Sequence, residues 1–210
     1  SLFFLVPLKT KDVIPVLEAT TAYMVYNQTG SVEALSNLKI RQALNLATDR
    51  KGIVSAAVDT GSKAATGIAP TGLAKLADGT DLAEHVAPGY KYDDKAAGKL
   101  FKEGLAELGK DSLKVTITAD ADTPVAKASV DYIKETWEKA LPGLTVEEKF
   151  VPFKQRLEDT KNQNFEVAVT PSGEVTIQKA QPSMVCLNQD LLITMVNSLT
   201  QLTIQLMKKP

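Results

Sequence analysis

The second half of the chain alternates between strand patterns and helical patterns, and few folds are compatible with that order. Residues 113–118 and 144–151 alternate apolar and polar side chains at the period of two that half-buried strands show. Residues 94–108 and 124–140 instead repeat their apolar side chains at helical spacing. A short polar helix and a strand at 165–169 follow. The order predicts an α/β sheet covered by helices.

Residues with capping roles mark the ends of these helices. Asp93 precedes the first helical pattern as an N-cap, and Gly109 stands where a left-handed residue commonly ends a helix. Pro124 suits the first turn of the second helix. Trp137 recurs at helical spacing from Ile133, and this spacing predicts a core side chain rather than a ligand platform.

The first part of the chain is less regular. Residues 21–27 are β-branched and aromatic and predict a strand, after which Ser36 is predicted to cap a helix that ends near Ala47. Residues 59–90 are rich in Gly, Ala, Thr, Asp and Pro, and they predict a long loop with one short strand near 67–69. Loops of this length are usually functional or wrapped over a partner surface.

Composition excludes several classes of function. The chain has 210 residues with 24 Lys and Arg against 25 Asp and Glu, so it lacks the broad basic footprint of a nucleic-acid-binding protein. One cysteine excludes an internal disulfide, and the single histidine, His85, has no second ligand at metal spacing. Neither residues 1–8 nor residues 191–207 have the pattern of a signal peptide or a membrane span. We expect no nucleic acid, no metal and no cofactor.

No catalytic motif is visible. Asp120 and Asp122 form a carboxylate pair just before the helix at Pro124, and we interpret them as capping residues rather than as an acid–base pair. The sequence contains no nucleophile elbow, paired-cysteine, zinc-protease or phosphate-loop pattern. The protein is therefore not expected to be an enzyme.

Three segments form a joint pattern. The first is a strand ending in Tyr26-Asn-Gln28, followed by Leu38-Lys-Ile-Arg-Gln-Ala-Leu-Asn-Leu-Ala-Thr-Asp-Arg50. The second runs from Gly61 to Pro70, and the third is the helix start Tyr90-Lys-Tyr-Asp-Asp-Lys-Ala-Ala-Gly-Lys-Leu-Phe101. Over about residues 13–169 the pattern resembles the oligopeptide- and dipeptide-binding proteins of ABC importers, solute-binding protein family 5.

The resemblance implies a single lobe of a type II periplasmic-binding-protein-like fold, with a mixed sheet covered by helices. In that family two lobes close on an extended peptide, and this chain resembles most of the second lobe. The implied function is the substrate-binding component of an ABC transporter, with an oligopeptide ligand and membrane permease subunits as partners. The implied location is the extracellular face of the membrane or the periplasm, with a lipid-anchored or secreted parent. The chain is expected to be a fragment with impaired binding.

The resemblance also suggests a peptide-binding surface. We predict that Tyr26, Asn27 and Gln28 contribute to it at the hinge-side end of their strand, and that Lys161 lies near its mouth. Recognition would rest on backbone hydrogen bonds to an extended peptide and on charge pairing at its terminus. The alternatives are that Tyr26 is a core side chain and that Lys161 is an ordinary surface residue.

A tail of different composition follows Val169. The family continues with a Gly-Trp-x-x-Asp-Tyr motif, whose Asp is positioned to pair with the free amino group of the peptide, whereas this chain has Thr170-Pro-Ser-Gly-Glu-Val-Thr-Ile-Gln178. In a frame shifted by one base, permitted codons from Ser172 onward give Trp-Gly-Gly-Asp-Tyr-Pro-Glu-Gly. We therefore interpret residues 1–170 as the α/β domain and residues 171–210 as an atypical tail produced by a frame shift.

The alternative to a frame shift is that residues 171–210 are a genuine divergent tail, and this alternative suggests a second function. Its apolar residues fit a helical stripe formed by Leu192, Val196, Leu199, Leu202 and Leu206. If ordered, this segment would cover the sheet edge or face left open by the missing lobe. The chain would then be a structural or interaction module that forms a homodimer through its tail and an exposed sheet edge.

Overall fold

The computed structural model describes residues 19–29, 32–58, 62–67, 75–85, 89–173 and 193–199. The elements alternate much as the sequence patterns predict. The strands are β1 (Ala19–Tyr26), β2 (Leu113–Asp120), β3 (Leu144–Val151), β4 (Val167–Gly173) and β5 (Ile193–Leu199). The helices are α1 (Glu33–Ser36), α2 (Leu38–Leu46), α3 (Arg50–Ile53), α4 (Leu82–His85), α5 (Asp94–Glu107), α6 (Pro124–Ala140) and α7 (Phe153–Lys161), and a π-helical turn spans Val54–Val58.

The five strands form one mixed sheet in the order β3-β2-β4-β1-β5. Strand β2 is parallel to β3 and to β4, whereas β1 is antiparallel to both of its neighbours, β4 and β5. The parallel strands are joined by helices α6 and α7, as crossover connections require. The predicted α/β fold with a mixed sheet covered by helices is confirmed.

The helices cover the two faces of the sheet unequally. Along β2 the side chains of Val115, Ile117 and Ala119 point to one face and are fully buried, and this face carries helix α6. The opposite face is covered by α7 only near the end of β2, where Asp120 is buried, while Lys114 at the other end of the strand is exposed. Because side chains alternate along a strand, α6 and α7 lie on opposite faces.

The hydrophobic core includes buried side chains of the sheet and of helices α2, α5 and α6. Trp137 is fully buried on α6, as predicted, and its indole N–H donates to Thr48 Oγ1 at 2.9 Å. Helices α2 and α5 approach so closely that a Cβ on Gly104 would lie 2.8 Å from Ile40 Cδ1. A residue larger than glycine would therefore push the two helices apart.

Several predicted boundaries are confirmed. Strand β3 and the start of β2 lie where the period-two patterns place them. The Asp93 side chain caps α5 by accepting from Ala96 N–H at 2.9 Å, and Gly109 ends that helix with a φ of 64°. Pro124 is the first residue of α6.

Two predictions of capping residues are wrong. Ser36 does not cap α2, since it is the last residue of α1, and the Asn37 side chain caps α2 by accepting from Ile40 N–H at 3.1 Å. Asp120 does not cap α6, because it ends β2 and pairs with a buried arginine, and Thr123 occupies the N-cap position.

The loop and the tail contain more regular structure than expected. Within the predicted loop, the described residues include helix α4 and an isolated bridge between Lys75 and Asp81, while most of the predicted strand at 67–69 lies outside the described residues. In the tail, Val196 and Leu199 belong to strand β5, so the predicted helical stripe is wrong there. The rest of the stripe, Leu192, Leu202 and Leu206, lies outside the described residues.

Candidate functional site

The carboxyl ends of the parallel strands meet at one edge of the sheet. Strands β2, β3 and β4 run in the same direction and end there at Asp120, Val151 and Gly173. Helices α6 and α7 begin directly after the ends of β2 and β3, so their positive N-termini lie at the same edge. Ligands of open α/β sheets bind outside the carboxyl ends of the strands. This carboxyl edge is therefore the candidate site.

A buried ion pair fixes the carboxyl edge. Arg156 of α7 contacts Asp120 at the end of β2, with Nε–Oδ1 at 2.5 Å and Nη2–Oδ2 at 3.3 Å. Both side chains are only 3% exposed. Arg156 Nη1 also donates to Thr170 Oγ1 in β4 at 3.3 Å. One guanidinium group thus joins β2, α7 and β4.

Helix α7 presents two exposed apolar side chains on one side. Phe153 is 49% exposed and Leu157, one turn further along the helix, is 46% exposed. The Arg156 guanidinium carbon lies 5.3 Å from the centroid of the Phe153 ring, within the range of a cation–π contact. The ion pair therefore supports an aromatic ring that stays open to solvent at the carboxyl edge.

A second, partly exposed charge pair lies farther along α7. Lys149 of β3 contacts Asp159 at 3.3 Å. The side-chain amide of Gln155 donates to Asp159 at 2.9 Å, and this bond, followed by the contact with Lys149, holds the pKa of the carboxyl group below its usual value. Asp159 therefore remains ionised at neutral pH.

The four residues predicted from the sequence come together at the opposite edge. Tyr26 ends β1 and pairs with Val167, the first residue of β4, so Tyr26, Asn27 and Gln28 lie beside the amino end of β4. Lys161 is the last residue of α7, which returns from the carboxyl edge to this amino edge. Gln28 is half-buried and Lys161 is exposed. A peptide-binding role for these four residues stays a prediction.

Asn27 holds the connection between α7 and β4. Its side-chain amide, which is buried, donates to Gln163 O at 2.9 Å and to Phe165 O at 2.7 Å. Its Oδ1 accepts from the backbone N–H and the hydroxyl of Thr29 at 2.9 and 2.6 Å. Gln163 has a positive φ of 59°, a conformation that needs support from its surroundings. Asn27 therefore has a structural role in this connection.

Replacing Asn27 by alanine is expected to lower the free energy of unfolding by about 1–3 kcal/mol, because buried carbonyl groups lose their donors. Urea unfolding monitored by Trp137 fluorescence measures the change. Gln28→Ala, at the half-buried neighbour, is the matched control and is expected to change stability by less than about 0.5 kcal/mol. An Asn27→Ala protein as stable as the unaltered chain would contradict the structural role.

Sequence reasoning did not find Arg156 or Phe153 and assigned Asp120 to capping. A usable signal was present, because a charged residue at the carboxyl end of a buried strand is unusual unless it is paired. Its partner is 36 positions away, and no local pattern connects the two. In the described ranges, no group of three or more His, Cys, Asp or Glu side chains is placed to hold a metal ion.

Comparison with known proteins identifies the family. Residues 6–185 match the model of bacterial extracellular solute-binding proteins, family 5 Middle. The chain belongs to this family. The description of this family is that of extracellular solute-binding proteins of bacteria. The match begins before residue 13 and continues past Val169, so it is longer than the resemblance carried by the sequence motifs.

Three relatives in family 5 illustrate the similarity. The dipeptide-binding protein of Lactococcus lactis subsp. cremoris (strain MG1363) is 40% identical over 172 residues, which are 79% of this chain and 31% of the relative. Listeria monocytogenes OppA bound to peptide is 32% identical with a TM-score of 0.72, covering 79% of this chain and 34% of that one. The substrate-binding domain of an oligopeptide ABC transporter from Bacillus anthracis str. Ames is 33% identical with a TM-score of 0.69. The match covers 74% of this chain and 30% of that one.

The chain thus spans about a third of the length of these family 5 relatives. The first of these relatives is a dipeptide-binding protein, the second is bound to a peptide in its structure, and the third is the substrate-binding domain of an oligopeptide ABC transporter. Among the described residues, every helix is too short or too polar to cross a membrane.

Proposed function

We propose that this chain provides part of the peptide-binding surface of an ABC importer, and that the carboxyl edge is the part that meets the peptide. The observation that carries the proposal is the exposed pair Phe153 and Leu157 at this edge, supported by the buried contact between Arg156 and Asp120. Half-exposed apolar side chains on a rigid support are typical of surfaces that bind a ligand. The peptide-binding relatives support the same conclusion.

The position of the carboxyl edge suggests how its side chains would contribute to peptide binding. An extended peptide is held mainly by backbone hydrogen bonds, while its side chains enter pockets that give specificity. Phe153 and Leu157 would contact apolar side chains of the peptide. A second lobe would close over the opposite side of the ligand, since one open edge leaves half of a peptide in water. The protein acts as a binding component rather than an enzyme, outside the cell membrane.

The test uses a chimera, because this chain covers only part of a whole family member. Residues 19–173 replace the matching part of the Lactococcus lactis dipeptide-binding protein, and calorimetry measures the affinity for peptides with apolar side chains. Phe153→Ala in the chimera is expected to weaken binding about tenfold, and Leu157→Ala severalfold, because each removes an apolar contact with the peptide.

Leu38→Ala is the matched control. Leu38 is 44% exposed, close to the exposure of Leu157, but it begins α2 beside the end of α5 and away from the carboxyl edge. Its replacement is expected to leave peptide affinity unchanged. A folded chimera that binds no peptide would contradict the proposed function, whereas equal effects of all three substitutions would contradict only the placement of the ligand.

Self-association is the second candidate function. It is favoured by the pairing of β5, which comes from the tail, along β1, because a second copy could supply the same strand. We also retain two proposals from the sequence, namely that residues 171–210 arose from a frame shift and that they are separate from the domain formed by residues 1–170. Light scattering at high concentration separates the two candidates, since a monomer counts against an interaction module.

A further inference from the structure

Strand β3 is an outer strand of the described sheet and pairs with β2 along its whole length. In a parallel pair, alternate residues turn their backbone N–H and C=O groups toward the partner strand, and the residues between them turn these groups away. The N–H of Ala121, which follows β2, donates to Val151 O at 2.8 Å, so Val151 faces β2. By alternation, the backbone groups of Val146 and Glu148 lie on the outer side of β3.

The outward N–H of Val146 donates to a side chain. The acceptor is Glu138 Oε1 of helix α6, at 2.8 Å. Glu138 directly follows the fully buried Trp137, and α6 packs against β3, so the helix holds this carboxylate beside the strand. An ionised carboxylate accepts hydrogen bonds and donates none. While Glu138 occupies this position, no carbonyl group of another strand can accept from the Val146 N–H.

The charges along β3 indicate which strand would fit its outer side. Glu147 and Lys149 point to the face of the sheet opposite α6 and have opposite charges. Their contacts to Lys114 at 2.6 Å and to Asp159 at 3.3 Å leave both side chains about half exposed. In an antiparallel pair of two β3 strands with a two-fold axis at Glu148, Glu147 of each copy would lie opposite Lys149 of the other. Opposite charges directly across a strand pair stabilise the pairing, so β3 is complementary in charge to itself.

We propose that Glu138 blocks the outer side of β3 against pairing with β3 of a second copy of this chain. Such pairing uses the Val146 N–H as a donor, so each copy must first break its bond to Glu138. Because the acceptor is charged, this bond costs more to break than a bond between neutral groups. Charged groups at outer strands commonly prevent association between sheets. The proposal is independent of peptide binding at the carboxyl edge and of the pairing of β5 with β1.

The test separates the contact made by Glu138 from its charge. Glu138→Asp keeps the charge but shortens the side chain, whereas Glu138→Gln loses the charge and keeps an oxygen acceptor at the same reach. Sedimentation equilibrium of the full chains gives the dissociation constants, and any association through β5 is common to all of them. We expect Glu138→Asp to associate at least about a hundredfold more tightly than the unaltered chain, since two blocking bonds no longer have to be broken. Glu138→Gln should stay within about tenfold of the unaltered chain.

Glu135→Asp is the matched control, because it makes the same change at an exposed position of α6 one turn earlier, and it should leave association unchanged. If Glu138→Asp associates no more tightly than the unaltered chain, the proposal is overturned. An equal effect of Glu138→Gln and Glu138→Asp would overturn it as well, because the charge and not the contact would then be responsible.

A second substitution tests whether the association uses β3. Proline lacks an N–H and is tolerated in outer strands where that N–H faces away from the sheet. Glu148→Pro added to Glu138→Asp should therefore return the dissociation constant to that of the unaltered chain, and persistent tight association would overturn pairing along β3. Amide hydrogen exchange, at a concentration where both proteins are monomeric, tests the contact itself. The Val146 N–H should exchange at least about tenfold faster in Glu138→Asp than in the unaltered chain, and equal rates would overturn the proposal.

Discussion

Replacing Asp120 by alanine is expected to lower the free energy of unfolding by about 3–5 kcal/mol. The substitution leaves the Arg156 guanidinium group buried beside the sheet without its carboxylate partner. The remaining hydrogen bond, to Thr170 Oγ1 at 3.3 Å, goes to an uncharged hydroxyl group and does not replace the lost negative charge. Urea unfolding monitored by the fluorescence of Trp137, the only tryptophan of the chain, measures the change.

Two further variants show whether the cost comes from the unpaired charge. Asp120→Ala combined with Arg156→Met should recover much of the lost stability, because no charge then remains buried. Glu147→Ala breaks the exposed pair with Lys114, whose side chains are 52% and 63% exposed, and it should cost no more than about 1 kcal/mol. An Asp120→Ala protein that loses no more stability than Glu147→Ala would show that the buried pair does not stabilise this edge.

The chain alone is expected to bind oligopeptides at least ten- to a hundredfold more weakly than a full-length relative. It spans about a third of those relatives, and the acidic residue expected to pair with the amino group of the peptide is missing after Val169. Loss of a charged hydrogen bond alone costs about 1.5–3 kcal/mol, which corresponds to this range.

Calorimetry with a mixture of oligopeptides measures this difference, with the Lactococcus lactis dipeptide-binding protein as the reference. Trp137 fluorescence shows that the chain is folded in the same buffer, since the indole is buried and bonded to Thr48. Binding by the chain within a few-fold of the affinity of the reference protein would contradict the prediction and would mean that one lobe is sufficient for recognition.

The elements that sequence patterns predicted well are those whose signals are local. The helix that begins after Asp93 and ends at Gly109 is one example, because the capping residue, the apolar spacing and the glycine all lie within one segment. Strand β3 is another, since its period-two pattern lies within the one segment from Leu144 to Val151. In both cases the local preference agrees with the tertiary fold.

The features that sequence patterns missed depend on residues distant in the chain. Asp120 resembles a capping residue when its neighbours are considered, but its partner is on α7. Asn27 resembles a ligand-binding residue at a strand end, yet its amide bonds carbonyl groups at positions 163 and 165. The direction of β4 relative to β1, which places the four predicted residues at the amino edge, also follows only from the assembled sheet.

The position of β1 in the sheet has a consequence for the order of folding. Strand β1 is made on the ribosome before the other four strands of the sheet, but it pairs with β4 and β5, and its contact between Tyr26 and Val167 spans most of the domain. Closing so long a loop is slow, whereas β2, α6 and β3 form from nearby residues. The nascent chain therefore carries β1 without either of these two partners until β4 emerges, and during that interval its backbone donors and acceptors are open to pairing with other chains or to capture by chaperones.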